Sequence, residues 1–165
     1  MDYIILSKGD MVIDSLPLDA MNHFSFHSDQ LEEGIYMIRH LETQMFYLMP
    51  GDSLVLHLNT QDFDESLNYS GRGASKNNLL MDLFLTNENE NKIIPQWYSL
   101  SPKDFTKKID SLRNKKQKEI QAYFFKNPVT DGFKNIAQAS VDYDYYLKKE
   151  AYGRVNDARL NLQNT

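Results

Sequence analysis

The 165-residue chain is long enough for one domain or two small ones, and its 41% hydrophobic and 25% charged residues are an ordinary globular mixture. It contains no cysteine, which excludes a disulfide, a zinc–thiolate site and a cysteine nucleophile. No apolar run approaches the ~20 residues that span a bilayer, and the N-terminus lacks the basic-then-apolar pattern of a signal peptide. The net charge of −5 is unevenly spread: residues 1–72 hold 12 acidic against 3 basic residues, residues 73–165 hold 11 against 15. An acidic first half argues against wrapping nucleic acid.

The first half reads as short strands in chain order. They are Tyr3–Leu6, Met11–Pro17 after a Lys8-Gly9-Asp10 turn, His23–His27 with Phe24 and Phe26 on one face, Gly34–His40, and Thr43–Met49. Pro50-Gly51-Asp52 is a strong turn signal, because Pro presets φ and Gly supplies φ > 0. Ser53–Asn59 alternates, with Leu54, Leu56 and either Leu58 or its neighbours marking a buried face, and Leu67–Ser70 closes the set. Strands about ten residues apart predict an antiparallel β-sandwich-like domain over residues 1–72.

Residues 73–165 read as a helical segment of about three helices, which makes the fold class α+β. Ser75 is the expected N-cap of the first; Leu79, Leu80, Leu83 and Phe84 follow at helical spacing, and the polar run Thr86–Asn91 is expected to fray. After the connector Pro95–Tyr98, Ser101-Pro102-Lys103-Asp104 places Ser at N-cap, Pro at N1 and an acid at N3. Phe105, Ile109, Leu112, Ile120 and Phe124 mark the buried stripe, and Asn127-Pro128 ends that helix. A third starts near Thr130 or Asp131, with the stripe Phe133, Ile136, Ala137, Val141 and Leu147, and continues or kinks at Gly153.

Motifs of chemistry are sparse. Gly71-Arg72-Gly73-Ala74-Ser75-Lys76 fits neither a P-loop nor a dinucleotide fingerprint, since the second Gly–Lys junction and the third glycine are missing. It reads as a strand-to-helix joint requiring φ > 0 at Gly71 or Gly73, with an anion at the helix N-terminus as the lesser reading. His23 and His27, four apart in a predicted strand, supply at most half a metal site. No nucleophile elbow occurs, Asp62 and Asp64 read as solvated loop carboxylates, and a hydrolase is the weakest reading. Lys107, Lys108, Arg113, Lys115, Lys116 and Lys118 read as a solvated outer helix face. We therefore assign no catalytic, cofactor-binding or metal-binding residue. Trp97 and the cluster Tyr143, Tyr145 and Tyr146 are the candidates for contact with a partner, glycan or peptide, against helix packing as the plainer reading.

Asp14-Ser15, Phe24 and Phe26, Gly34-Ile35-Tyr36, the Pro50–Ser53 turn and the Ser70–Asn77 joint occur in an order that resembles the N-terminal region of TlpA-type envelope thioredoxin-like proteins. The resemblance covers roughly residues 3–85. It implies a non-catalytic accessory domain, a spacer or recognition module in the periplasm or cell envelope. A thioredoxin domain with Cys-x-x-Cys follows it in those proteins, and neither that domain nor its cysteines are in this chain. A first strand usual in the family is also missing ahead of Asp2, so an exposed sheet edge and association between copies through it are expected. The alternative is a free-standing module binding a glycan or peptide.

Overall fold

The computed structural model describes residues 3–57, 59 and 66–163, with side chains up to 158. The chain is α+β: among the described residues six strands are followed by three long helices. It divides into two compact units, Met1–Leu79 and Leu80–Thr165.

The first unit holds a four-stranded antiparallel sheet in the order β2-β1-β3-β4 and a two-stranded antiparallel sheet, β5-β6. The strands are β1 (Tyr3–Lys8), β2 (Met11–Pro17), β3 (Gly34–Arg39), β4 (Thr43–Leu48), β5 (Ser53–His57) and β6 (Asn68–Arg72). Alternation puts Ile4, Leu6, Leu16, Tyr36, Ile38 and Phe46 on the buried face. The register aligns them: Ile4 opposes Leu16, Leu6 opposes Ile38 and Tyr36 opposes Phe46. Pro50-Gly51 forms the expected turn, with Gly51 at φ 85° and Asp52 N–H bonded to the Met49 carbonyl at 3.0 Å. On β5, Leu54 and Leu56 face inward as expected, while Leu58 lies outside the described residues.

The predicted strand His23–His27 is not one. Phe24 and Phe26 alternate in exposure with their neighbours, but the segment pairs with no strand among the described residues. Asp19 explains the failure: its Oδ1 accepts from both Met21 N and His23 N at 2.8 Å, and Asn22 sits at φ 61°. A carboxylate that captures local N–H groups turns the chain instead of offering them to a ladder. The two histidines are exposed and face their own neighbours, Asp19 and Asp29.

The helices are α1 (Ala74–Ile93), α2 (Pro102–Lys126) and α3 (Asp131–Gln163), with a 3-10 turn at Ile94–Trp97. α1 begins at Ala74, so Ser75 is its second residue and not the N-cap. It also does not fray over Thr86–Asn91 but runs to Ile93. α2 starts as predicted: Ser101 Oγ accepts from Asp104 N at 3.2 Å and donates to Asp104 Oδ2, with Pro102 at N1. α3 continues unbroken past Gly153.

In the second unit α2 and α3 form an antiparallel hairpin fastened rung by rung. Phe105 stacks on Tyr152 with ring centroids 4.1 Å apart, and Tyr145 Oη donates to Asp110 Oδ1 at 2.7 Å. Arg113 pairs with Asp142, Gln117 and Gln138 exchange amide bonds, and Phe124 meets Phe133 edge-on. Ile94, Phe105, Ile109 and Tyr145 form one core cluster, with Trp97, Tyr98 and Tyr152 packed against it. Leu147, expected in the stripe of α3, is 47% exposed; the inward places at that level belong to Asp144, Tyr145 and Lys148.

Candidate functional site

The Gly71–Asn78 joint lies in the first unit, and its Lys76, Asn77 and Asn78 side chains are bonded within that unit. Gly71 and Gly73 both have φ > 0, at 88° and 97°. A Cβ on Gly71 would lie 2.2 Å from the Ser53 carbonyl oxygen, so the glycine is there to let β6 approach the backbone of β5. A Cβ on Gly73 would lie 2.4 Å from Cγ of Asp52. The Asp52 carboxylate thus fills the space beside the start of α1 where an external anion would have to sit. It is buried and paired with buried Lys76, whose Nζ donates to both carboxylate oxygens at 3.2 and 3.0 Å, and Asp52 Oδ2 also accepts from Met49 N at 3.1 Å. The Pro-Gly-Asp turn and the glycine joint are therefore two halves of one contact.

The next two residues clamp the sheets. Asn77, 2% exposed, accepts from Tyr47 N at 2.6 Å and donates to Tyr47 O at 2.9 Å. Asn78 does the same to Tyr69, at 3.2 and 3.0 Å. Each side-chain amide presents one N–H and its C=O to the strand in the arrangement of a peptide group, so each replaces one rung of a missing strand on β4 and β6. Truncating Asn77 to Ala removes both of its bonds to the buried Tyr47 backbone. The expected cost is about 2–6 kcal/mol, from ~1–3 kcal/mol for each of the two bonds lost. It should appear as a lower urea midpoint in tyrosine near-UV dichroism. Asn78→Ala, at a half-buried site, should cost less, and an unchanged midpoint for Asn77→Ala would refute the clamp.

These amides also bear on the sheet edges. β1, the first strand of the chain, is interior, flanked by β2 and β3. On edge strand β4, Tyr47 is clamped and the Met45 carbonyl accepts from Gln44 Nε2 at 2.7 Å. On edge strand β2, Ser15 N–H is bonded to Asp14 Oδ1 at 2.8 Å and Pro17 has no N–H to offer. Side-chain caps, proline and a bulge at Leu6/Ser7 are the devices that keep edges from pairing with other chains.

The second unit contains a feature that the sequence reading missed. Lys116 does not lie on the solvated face expected of it: it is 2% exposed, and its three N–H donors meet three acceptors: Asn87 Oδ1 at 2.6 Å, Glu90 Oε2 at 2.7 Å and Asp144 Oδ2 at 2.6 Å. Lys148, 5% exposed, donates to the same two carboxylate oxygens, each at 2.5 Å. Two cations and two anions alternate around a closed ring drawn from α1, α2 and α3. Burial pulls the Lys116 ammonium toward the neutral form, but hydrogen bonds from it to Asp144 and Glu90 outweigh that and hold its pKa above the usual value. An amine kept charged in this way is not a nucleophile, so the ring is suited to fixing helices and not to Schiff-base chemistry.

The four candidate contact residues do not come together as one site. Tyr145 is 8% exposed in the helix core, with Arg113 4.7 Å from its ring. Its hydrogen bond to Asp110, then burial, hold its phenol above the usual range. Trp97 is half-buried against that core under Lys108, 4.7 Å from its ring. Tyr143 and Tyr146, by contrast, are 69% and 60% exposed on the outer side of α3. Among the described residues no group of three or more His, Asp or Glu is placed to hold a metal, and no helix is long and apolar enough to cross a membrane. No protein-family model, curated protein or solved structure matches this chain.

Proposed function

We propose that this chain is a non-catalytic accessory module, a spacer or recognition domain that precedes the thioredoxin-like domain of a TlpA-type thiol-disulfide oxidoreductase in the periplasm or cell envelope. The observation that carries this reading is what the resembling residues do. Asp14 caps Ser15, Asp52 of the Pro-Gly-Asp-Ser turn pairs with Lys76, and Asn77 clamps Tyr47. The ordered motif is architectural: it ties sheets to a helix and pairs Asp52 with Lys76 within the unit. A chain without cysteine has no thiol to form the mixed disulfide that exchange requires. A second reading, a glycan- or peptide-binding module, draws on the exposed Tyr143 and Tyr146, with Tyr145 and Trp97 committed to the core.

Two measurements test the proposal. In an insulin-reduction assay the chain is expected to add nothing to the dithiothreitol background; a faster rate contradicts the non-catalytic role. The reading frame of the parent gene is expected to continue into a domain with Cys-x-x-Cys. A stop codon directly after Thr165 would remove the accessory-domain reading and leave the ligand-binding one.

A further inference from the structure

Helix α3 has two apolar faces. One is used: Phe133, Ala137, Val141 and Tyr145 are buried in the second unit. The other carries Tyr143, Tyr146 and Leu147 at 69%, 60% and 47% exposure, flanked by exposed Ala139 and by Gly153, where an added Cβ would meet nothing within 4 Å. Positions 136, 139, 143, 146, 150 and 153 alternate in steps of three and four, the seam of a helix that packs against another helix. Beside the seam stand Asp142 and Lys149, opposite in sign and seven residues apart.

We infer that two copies of this chain pair through this face, α3 antiparallel to α3, about a twofold axis near the level of Tyr145. In that arrangement Tyr143 meets the partner copy's Tyr146, Leu147 meets Ser140, Ala139 meets Glu150 and Ile136 meets Gly153, so a larger side chain opposes a smaller one at each flanking layer. Every contact occurs twice, as an isologous interface requires. Each Asp142 then lies beside the other copy's Lys149. A parallel pair would instead set Lys149 against Arg154, cation against cation, which selects the antiparallel orientation. Asp142 already accepts from Arg113 and Gln138, and a carboxylate with about four lone-pair sites can take a further ammonium.

The absence of cysteine makes the register directly testable. Ala139→Cys and Glu150→Cys are both exposed substitutions eleven residues apart, ~16 Å along one helix, too far to join within a copy. Under mild oxidation the double variant is expected to form covalent dimers, and so is an equal mixture of the two single variants through mixed pairs. Neither single variant alone should cross-link. Sedimentation of the unmodified chain from about 1 μM to 1 mM should show a monomer–dimer equilibrium, with Tyr143→Glu plus Tyr146→Glu raising its dissociation constant ~10-fold or more. A monomer at all concentrations overturns the inference. So does Ala139→Cys cross-linking to itself, which reports a parallel pair, or a dimer indifferent to the tyrosine variant, which places the interface elsewhere.

Discussion

Replacing Lys116 by Met is expected to destabilise the helical unit by about 3–5 kcal/mol, because it strands Glu90 and Asp144 with one cation between them in a buried site. Trp97 is the only tryptophan and packs in that unit, so its fluorescence during urea unfolding reports the loss. The ring is not there because ions are the most stabilising filling. Removing all four charges together (Glu90→Leu, Lys116→Met, Asp144→Leu and Lys148→Met) should restore most of the stability, since apolar side chains of similar volume avoid the desolvation cost. A loss below about 1 kcal/mol for Lys116→Met would mean that the ring is hydrated and weak.

The same group fixes a sign with pH. A lysine whose pKa is raised on folding contributes its stabilisation fully below its unfolded value, near 10.4. That contribution fades as pH climbs through the higher folded value. Unfolding of the helical unit should therefore become easier in alkali above about pH 10, and Lys116→Met should flatten the Lys116 part of that dependence.

The helix start at Ser101-Pro102, the turn at Pro50-Gly51 and the need for φ > 0 at the glycine joint were legible because each rests on local backbone chemistry. The strand expected at His23–His27 had the right alternation but lacked a partner. Asp19, four residues earlier, was the local signal, since it competes for the N–H groups a ladder would use. The charge ring was harder to see because a buried lysine and a solvated one have the same letter. A pattern was present nonetheless. Glu90 follows buried Leu83 by seven residues, Lys116 follows Ile109, Asp144 follows Ala137 and Lys148 follows Val141. Each charge thus falls on an apolar stripe, two of each sign across three helices, where a lone charge would be prohibitive and a neutral set is not. Ser75 failed as a cap for a related reason: a serine near a helix start is a good signal, but Gly73 already makes the turn and the helix begins one residue before Ser75. The asparagine clamps were beyond the sequence, because nothing local tells Asn77 which strand its amide will meet.

Gly71→Ala is expected to cost the sheet-bearing unit about 3 kcal/mol or more, a larger effect than at Gly51 or Gly73. Two terms add. An alanine held at φ 88° carries about 1–3 kcal/mol of backbone strain. Its methyl group would also lie 2.2 Å from the Ser53 carbonyl oxygen, a backbone atom that cannot rotate aside, so the β5–β6 ladder must open. A two-stranded sheet is marginal by itself and has little to spare. Gly73→Ala meets the Asp52 carboxylate, a side chain that can yield only by loosening its pair with Lys76, so its cost should be intermediate. Gly51→Ala has φ 85° but open space around its Cβ and should lose only the strain. Thermal unfolding followed by tyrosine near-UV dichroism should rank the melting temperatures Gly51→Ala above Gly73→Ala above Gly71→Ala, with roughly 4–8 °C lost per kcal/mol in a unit of this size. Equal losses at Gly51 and Gly71 would show that φ alone sets the requirement, and that the close approach of β6 to the backbone of β5 does not.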